Sequence, residues 1–502
     1  MRNVRSERSK TKRIWMGISL VVAGSFYRPL VFWAANPWDL ANPLDVFLTS
    51  SIGLAIGILV FFALIAFEVR QIPAGFIVFG TLFVLLNYHT TLLVPGVVWL
   101  VLVAAVGALL HWAVSDRTNT YLVVVILALT LLAPALQVVT QHVSHRVPYP
   151  LSEAHSSVDA RPTEAVEDVL VLIVDGYPML SVADQWFGHD TEPLQEGLME
   201  AGFEVPEVSW SHNTFTGLAV PSILQLNQIA DDSPKGQWGN RRSSYDIIGG
   251  ENLVVETLRS AGFQYIHIEG GWDGSTCIRA DVCLESSWLS EANWNLLAPS
   301  IFADIIEERH GSMAAVNTIP VVDHLANLDA FDDDEPYVVF AHMFLPHAPY
   351  VVDSKCEVVA TETRPDSDDD YHRLRQQLSC VDSLLLDVVA SLDRDVAVLI
   401  AGDHGTGEGG QVGSPSETWS NADIAERLGA LLAYRIPGGC DGPDEPTNVY
   451  AMRAIMECTV IADLPKEPVG FLVGADQPVQ VTSERVLSIA TRLAEGDLAG
   501  PD

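Results

Sequence analysis

The chain has 502 residues, a formal net charge of −36 and a mean hydropathy of +0.23. Its first 150 residues hold ten Lys+Arg against five Asp+Glu, and the other 18 basic and 59 acidic residues leave 151–502 at −41. So acidic a body offers no docking surface to nucleic acid or another polyanion, and its charge fits a solvated surface without identifying a function.

The N-terminus, MRNVRSERSKTKR, is a basic tail over 1–13. Five apolar runs follow at roughly 14–35, 46–67, 72–92, 95–114 and 121–142. Each is near the ~20 residues a helix needs to cross a hydrocarbon core, so 14–142 is expected to be a five-helix transmembrane domain. A signal peptide has one short apolar core and a small-residue cleavage site, which this pattern lacks. The basic tail, Arg70 and Arg117 fall on one side if all five runs span, which puts that side in the cytoplasm. An odd number of spans then places everything after residue 143 outside, at the plasma membrane. All six cysteines lie in that outer part, an even count that suggests disulfides, most simply between sequence neighbours.

Residues 143–165 are polar and Pro-containing, and read as a linker. The body over 166–475 alternates short continuous apolar runs with amphipathic stretches. DVLVLIVDG (168–176), FQYIHIEGG (263–271), PYVVFAHMF (336–344) and VAVLIAGDHG (396–405) read as buried strands. ENLVVETLRSAG and YHRLRQQLSCVDSLLLDVVASL read as helices between them. This order predicts an α/β fold with a mostly parallel central sheet and helices on both faces. The tail, 476–502, holds one helical stretch and frays in GDLAGPD.

In such sheets ligands sit beyond the carboxyl ends of the strands. The first strand ends in Asp175, the fourth in Asp403 and His404, and the third runs into HMFLPHAPY with His342 and His347. Two carboxylates and an imidazole converging there suit one divalent cation, with zinc, manganese, magnesium and calcium all open. Between them, SWSHNTFTGLAVPSIL (209–224) offers Ser211, Thr214, Thr216 and Ser222 as hydroxyls, a threonine being a nucleophile that a cation activates, with a helix starting near VPSIL. Taken singly, each feature has an ordinary explanation: a turn, a capping loop, a solvated acid. Trp272 and Arg279, in the Gly-rich loop 270–283, are candidates for a head-group pocket, although a structural loop with a surface Arg is the more ordinary account. Glu408 is a candidate for orienting His404.

Asp175 after a strand, TFTGLAVPS, LPHAPY and DHG after the last strand together resemble the alkaline-phosphatase/sulfatase superfamily. With the five spans, the chain resembles its membrane-anchored branch, the lipoteichoic acid synthases and lipid A phosphoethanolamine transferases. The resemblance implies Asp175, Thr216, Asp403 and His404 as metal ligands and Thr216 as nucleophile, with Thr214 in reserve. It implies His347 as the histidine that contacts the substrate anion or assists the leaving group, with His342 beside it. Asp175 stands where the nearest membrane relatives have Glu. AVPSI lacks the residues that formylglycine sulfatases mature, and no histidine follows His404, which favours a single-metal site. The implied activity is transfer of a phosphoglycerol- or phosphoethanolamine-type head group from a membrane lipid donor to an envelope lipid or glycan, through a phospho-threonine. A hydrolase or phosphodiesterase using water as acceptor is the alternative. A non-catalytic envelope-binding membrane protein is the second. Oligomeric state is not legible.

Overall fold

The computed structural model describes residues 2–35, 43–86, 96–112, 116–144, 160–228, 241–272, 274–277, 279–285, 290–298, 300, 303, 313–328, 335–359, 370–392, 395–408, 415–466, 468–474 and 479–500. It divides into two compact units: 1–146 with 290–310, and 147–289 with 311–502.

The first unit is helical. Its helices are Arg2–Ala35, Pro43–Ala66, Gln71–Leu86, Gly96–Trp112, and a fifth running Asp116–Leu127, through a π-turn at Ala128–Leu132, into Ala133–Ser144. The basic tail is thus the first turns of the first helix. Among the described residues, Lys10–Ala34 and Thr120–Val139 have the length and hydropathy of a membrane span; Gly53–Ala66 and Gln71–Leu86 are shorter apolar helices. The five-span count is therefore not given by helix length alone. Small residues let these helices approach closely: a Cβ on Gly17 or Gly57 would strike Phe61 or Val21. The helix Glu291–Leu297, N-capped by Ser290, belongs to this unit, with Leu296 packed against Phe32 and Trp33. The sequence reading had given that stretch to the body.

In the second unit the strands of the main sheet, in chain order, are β1 (Val169–Val174), β2 (Gln264–Ile268), β3 (Val282–Leu284), β4 (Tyr337–Met343), β5 (Ala397–Gly402) and β6 (Leu432–Arg435). They form one sheet in the order β3-β2-β4-β1-β5-β6, parallel throughout except for the antiparallel edge strand β6. All four predicted strands are present; the sequence reading missed β3 and β6. β1 and β5 are buried at every position, as continuous Val/Leu/Ile runs demand of strands covered on both faces. Each such side chain contributes about 1.5–3 kcal/mol relative to exposure. On one face Val169, Val171 and Ile173 join Val220 and Ile223 of the Thr216–Leu224 helix and Met452 and Ile455 of the Asn448–Thr459 helix in one core.

Register fixes what happens at the sheet's edge. Val174 stands opposite Met343 on one side and Gly402 on the other, so the chain leaves three neighbouring strands at one level. Asp175, the 344–350 loop and Asp403–His404 therefore lie side by side.

Three disulfides join sequence neighbours: Cys277–Cys283, Cys356–Cys380 and Cys440–Cys458. The predicted linker is partly structured: 145–159 lie outside the described residues, but Arg161–Pro162 pair with Val460–Ile461. The C-terminal stretch does not fray as expected. Val479–Val481 pairs with Phe471–Val473, the Ser483–Ala494 helix follows, and the Trp186 indole N–H donates to the Leu498 carbonyl at 3.2 Å.

Candidate active site

Asp175, Asp403 and His404 are all buried where β1 and β5 end. The Gly176 N–H donates to Asp403 Oδ1 at 3.0 Å, tying the two strand ends together. His404 Nδ1 lies 2.9 Å from the Gly405 carbonyl oxygen, which can only accept. That nitrogen therefore carries the proton, and Nε2 presents a lone pair. Around the lone pair stand Thr216 Oγ1 at 3.2 Å, Asp403 Oδ2 at 3.3 Å and Asp175 Oδ1 at 3.7 Å.

Thr216 is the first residue of its helix, after the extended Phe215. The preceding loop is pinned from below: Asn213 Nδ2 donates to Ser222 Oγ at 2.9 Å and to the Leu218 carbonyl at 3.3 Å. Thr214 points elsewhere, its hydroxyl accepting the Gly474 N–H at 3.0 Å.

The electrostatics of this cluster have one theme. Burial, aided by Arg427 and His347, holds His404 well below the usual imidazole value. Burial and then Arg427 lower His347, and burial takes His342 to about 4 although Asp403 pulls the other way. All three rings are neutral at pH 7, as metal-ligating or proton-accepting imidazoles must be. Asp403 Oδ2 is buried and accepts no hydrogen bond. Carboxylate oxygens facing an unprotonated nitrogen repel one another, and a cation placed among them converts that repulsion into ligation. The residues present thus fit a divalent ion of mixed O/N preference. Among the described residues, Asp175, His347 and His404 each offer a ligand atom within 4.8 Å of the others. His347, expected at the substrate, is thus also close enough to share the ion.

The remaining expectations divide. His342 lies on β4, buried, with Nε2 at 3.6 Å from Asp175 Oδ2. The Trp272 ring sits 5.3 Å from the His342 ring and meets Tyr245 edge-on at 5.6 Å, so it belongs to the site's wall. Arg279 does not: it is exposed and ion-paired with Glu251. Glu408 receives the Tyr350 hydroxyl, and the Gly405 carbonyl fills the position expected of it at His404.

Sequence reasoning missed Arg427. This buried residue sits in the Asn421–Leu428 helix, which starts at a Ser420–Asp423 capping box. Its Nε donates to the Thr214 carbonyl and its Nη1 to the Gly405 carbonyl, both at 2.9 Å, and its Nη2 lies 3.2 Å from His404 Nε2. An Arg in an amphipathic helix carries no motif; only the tertiary fold brings it here.

No family model matches the chain, and no curated protein matches it. Solved structures do. One is the C-terminal periplasmic domain of EcEptC from Escherichia coli in complex with Zn, at 8% identity and a TM-score of 0.43, covering 65% of this chain and 96% of that one. A second is the integral membrane protein lipooligosaccharide phosphoethanolamine transferase A (EptA) from Neisseria meningitidis, at 12% identity and a TM-score of 0.41, covering 88% and 95%. A third is the C-terminal periplasmic domain of phosphoethanolamine transferase EptC from Campylobacter jejuni, at 13% identity and 0.33, covering 55% and 80%. These structural neighbours are phosphoethanolamine transferases. At such low similarity the chemistry of this chain rests on its own geometry.

Proposed function

We propose that the chain is a membrane-anchored, metal-dependent transferase that moves a phosphoryl-linked head group from a lipid donor to an envelope lipid or glycan through a phospho-threonine on Thr216. The observation that carries this reading is Thr216 Oγ1 at 3.2 Å from His404 Nε2, at a helix start, with Asp175 and Asp403 carboxylates facing the same nitrogen.

Asp175, Asp403, His404 and Thr216 would hold one divalent ion, which when bound lowers the proton affinity of the Thr216 hydroxyl and offsets charge on the transferring group. Thr216 Oγ1 attacks phosphorus, forming the Oγ1–P bond as the bond to the donor lipid oxygen breaks. The Thr216 proton ends on the departing lipid oxygen. His347 is assigned to carry it: Nδ1 donates to the Ala348 carbonyl at 2.6 Å, so Nε2 is free of its proton in the neutral ring. In the second half the acceptor hydroxyl attacks phosphorus, and Thr216 leaves with the proton returned. Trp272, beside His342, walls the head-group side.

The five-helix reading of 14–142, with the basic tail inside and the body outside, belongs to the same proposal. Three disulfides in the body fit an oxidising compartment. Anchoring holds the site at a surface where a lipid donor is concentrated. Purified full-length protein, given a divalent metal and a phospholipid donor, tests the reading with and without an added sugar or lipid acceptor. Transfer product that depends on the acceptor supports it; head-group release into water alone, unaffected by acceptor, replaces the transferase with a hydrolase.

A further inference from the structure

Resting on that reading, we propose that Arg427 is the oxyanion-binding residue of the site, held in reserve by His404 until a divalent cation takes the His404 Nε2 lone pair. Two of the guanidinium's N–H groups act as a brace. Nε and Nη1 donate to the Thr214 and Gly405 carbonyls, so it straps the nucleophile loop to the loop carrying His404. Its Cζ lies over the Phe215 ring, 5.4 Å from the centroid, a cation–π contact that adds to the brace. What remains is Nη2, directed at the site's centre and resting 3.2 Å from His404 Nε2.

That contact cannot coexist with metal ligation through the same nitrogen. Nδ1 of His404 is committed to the Gly405 carbonyl, so Nε2 has one lone pair, which faces the Arg427 N–H and the Thr216 hydroxyl and which a cation would take from both. When a cation takes it, the Nη2 hydrogen that faced it loses its acceptor while Nε and Nη1 keep the guanidinium in place. A phosphoryl group on Thr216 brings non-bridging oxygens to within a bond length or two of Thr216 Oγ1, which faces the same nitrogen at 3.2 Å. Those oxygens are the acceptors Nη2 then finds, in the charge-assisted geometry Arg supplies to phosphate. Asp403, Asp175, Glu426 and Tyr350 also bear on the guanidinium, and Glu426 is already engaged by the Thr406 hydroxyl at 2.8 Å. With no histidine after His404, a fixed guanidinium supplies the second positive charge of the centre. Two consequences follow: Arg427 competes with a cation for His404, and metal and oxyanion bind cooperatively.

The test uses full-length protein in detergent, metal-free and Mn²⁺-loaded, with inorganic phosphate as probe by calorimetry and Mn²⁺ affinity by equilibrium dialysis. Wild type is expected to bind phosphate measurably only when loaded. In Arg427→Met, Mn²⁺ affinity without phosphate rises about tenfold as a competing cation and hydrogen bond are lost. Phosphate affinity of the loaded protein falls roughly tenfold to a hundredfold, the worth of one charge-assisted hydrogen bond. Because Arg427 braces two loops, melting curves establish folding, and Arg427→Lys serves if the Met variant does not fold: it keeps the charge and loses about tenfold in phosphate affinity. Equal phosphate affinity in wild type and a folded variant overturns the proposal, as does Mn²⁺ affinity falling in step with phosphate affinity, which marks a brace only. Wild type that binds no Mn²⁺ overturns this and the metal-dependent reading together; binding of Mn²⁺ and phosphate by wild type, unchanged in the variants, overturns only the role of Arg427.

Discussion

Replacing Asp403 with Asn is expected to stabilise the metal-free protein while removing its metal. Asp403 is fully buried, and the site sets two carboxylates, Asp175 and Asp403, against the single guanidinium of Arg427. Asn keeps an oxygen for the Gly176 N–H and places an amide donor where Oδ2 now stands, 3.3 Å from the His404 lone pair. The carboxylate oxygen's repulsion toward that lone pair is removed, and an uncompensated buried charge disappears, while Arg427 keeps its contact with His404. Relieving a buried unsatisfied acceptor is worth about 1–3 kcal/mol, and each kcal/mol moves Tm by about 2–4 °C in domains of a few hundred residues. The expected rise is therefore about 2–12 °C in chelator-treated protein, read by circular dichroism at one scan rate. Metal reverses the order: an ion at about 1,000 times its Kd adds about 4.1 kcal/mol to wild type, and little to the variant. A chelated Asp403→Asn protein that melts at or below wild type refutes the view that the ligand set is strained for want of a cation.

Thr216→Ala is expected to lose transfer by about 10⁴-fold or more, as removal of a nucleophile does, whereas Thr214→Ala retains activity within about tenfold and loses roughly 1–3 kcal/mol of stability with its Gly474 hydrogen bond; turnover and melting of both variants check this. A Cβ on Gly405 would land on the Glu426 and Gly429 carbonyl oxygens, so Gly405→Ala displaces the neighbouring His404. Metal content should fall, and activity by about 10²-fold, the cost of an ångström-scale misplacement; normal metal content in the variant counts against it. His212 and His267 are fully buried and held at about 3 by burial. Because their folded values lie below the unfolded value near 6.5, their contribution is complete above pH 6.5 and is lost as pH falls toward 3. Denaturation at pH 7, 6 and 5 should show stability declining by up to about 1.4 kcal/mol per pH unit for each; a flat profile between 6.5 and 5 contradicts the buried neutral assignment.

Much of the site was legible because parallel strands buried on both faces write themselves as unbroken apolar runs, and their ends mark where ligands gather. Asp175, Thr216, Asp403 and His404 come together in that way. Arg427 was illegible because its role depends on a helix returning beneath two loops, a long-range event with no local spacing. β6 (LAYR) was too short to display a period, and β3 lies within a Gly-rich, disulfide-bounded loop. Arg279 misled for a related reason: loop composition suggested anion binding, and the nearby Glu251 claims the charge. The Glu291–Leu297 helix carries Trp294 and Leu296 at no pattern that distinguishes packing on the body from packing among the N-terminal helices.

The most direct measurement is tandem mass spectrometry of protein acid-quenched during turnover with a phospholipid donor and divalent metal. A phosphoryl-head-group adduct on Thr216, absent after chelation, is the result predicted here. An adduct confined to Thr214, or product accumulating with no adduct on the 209–224 segment, contradicts it.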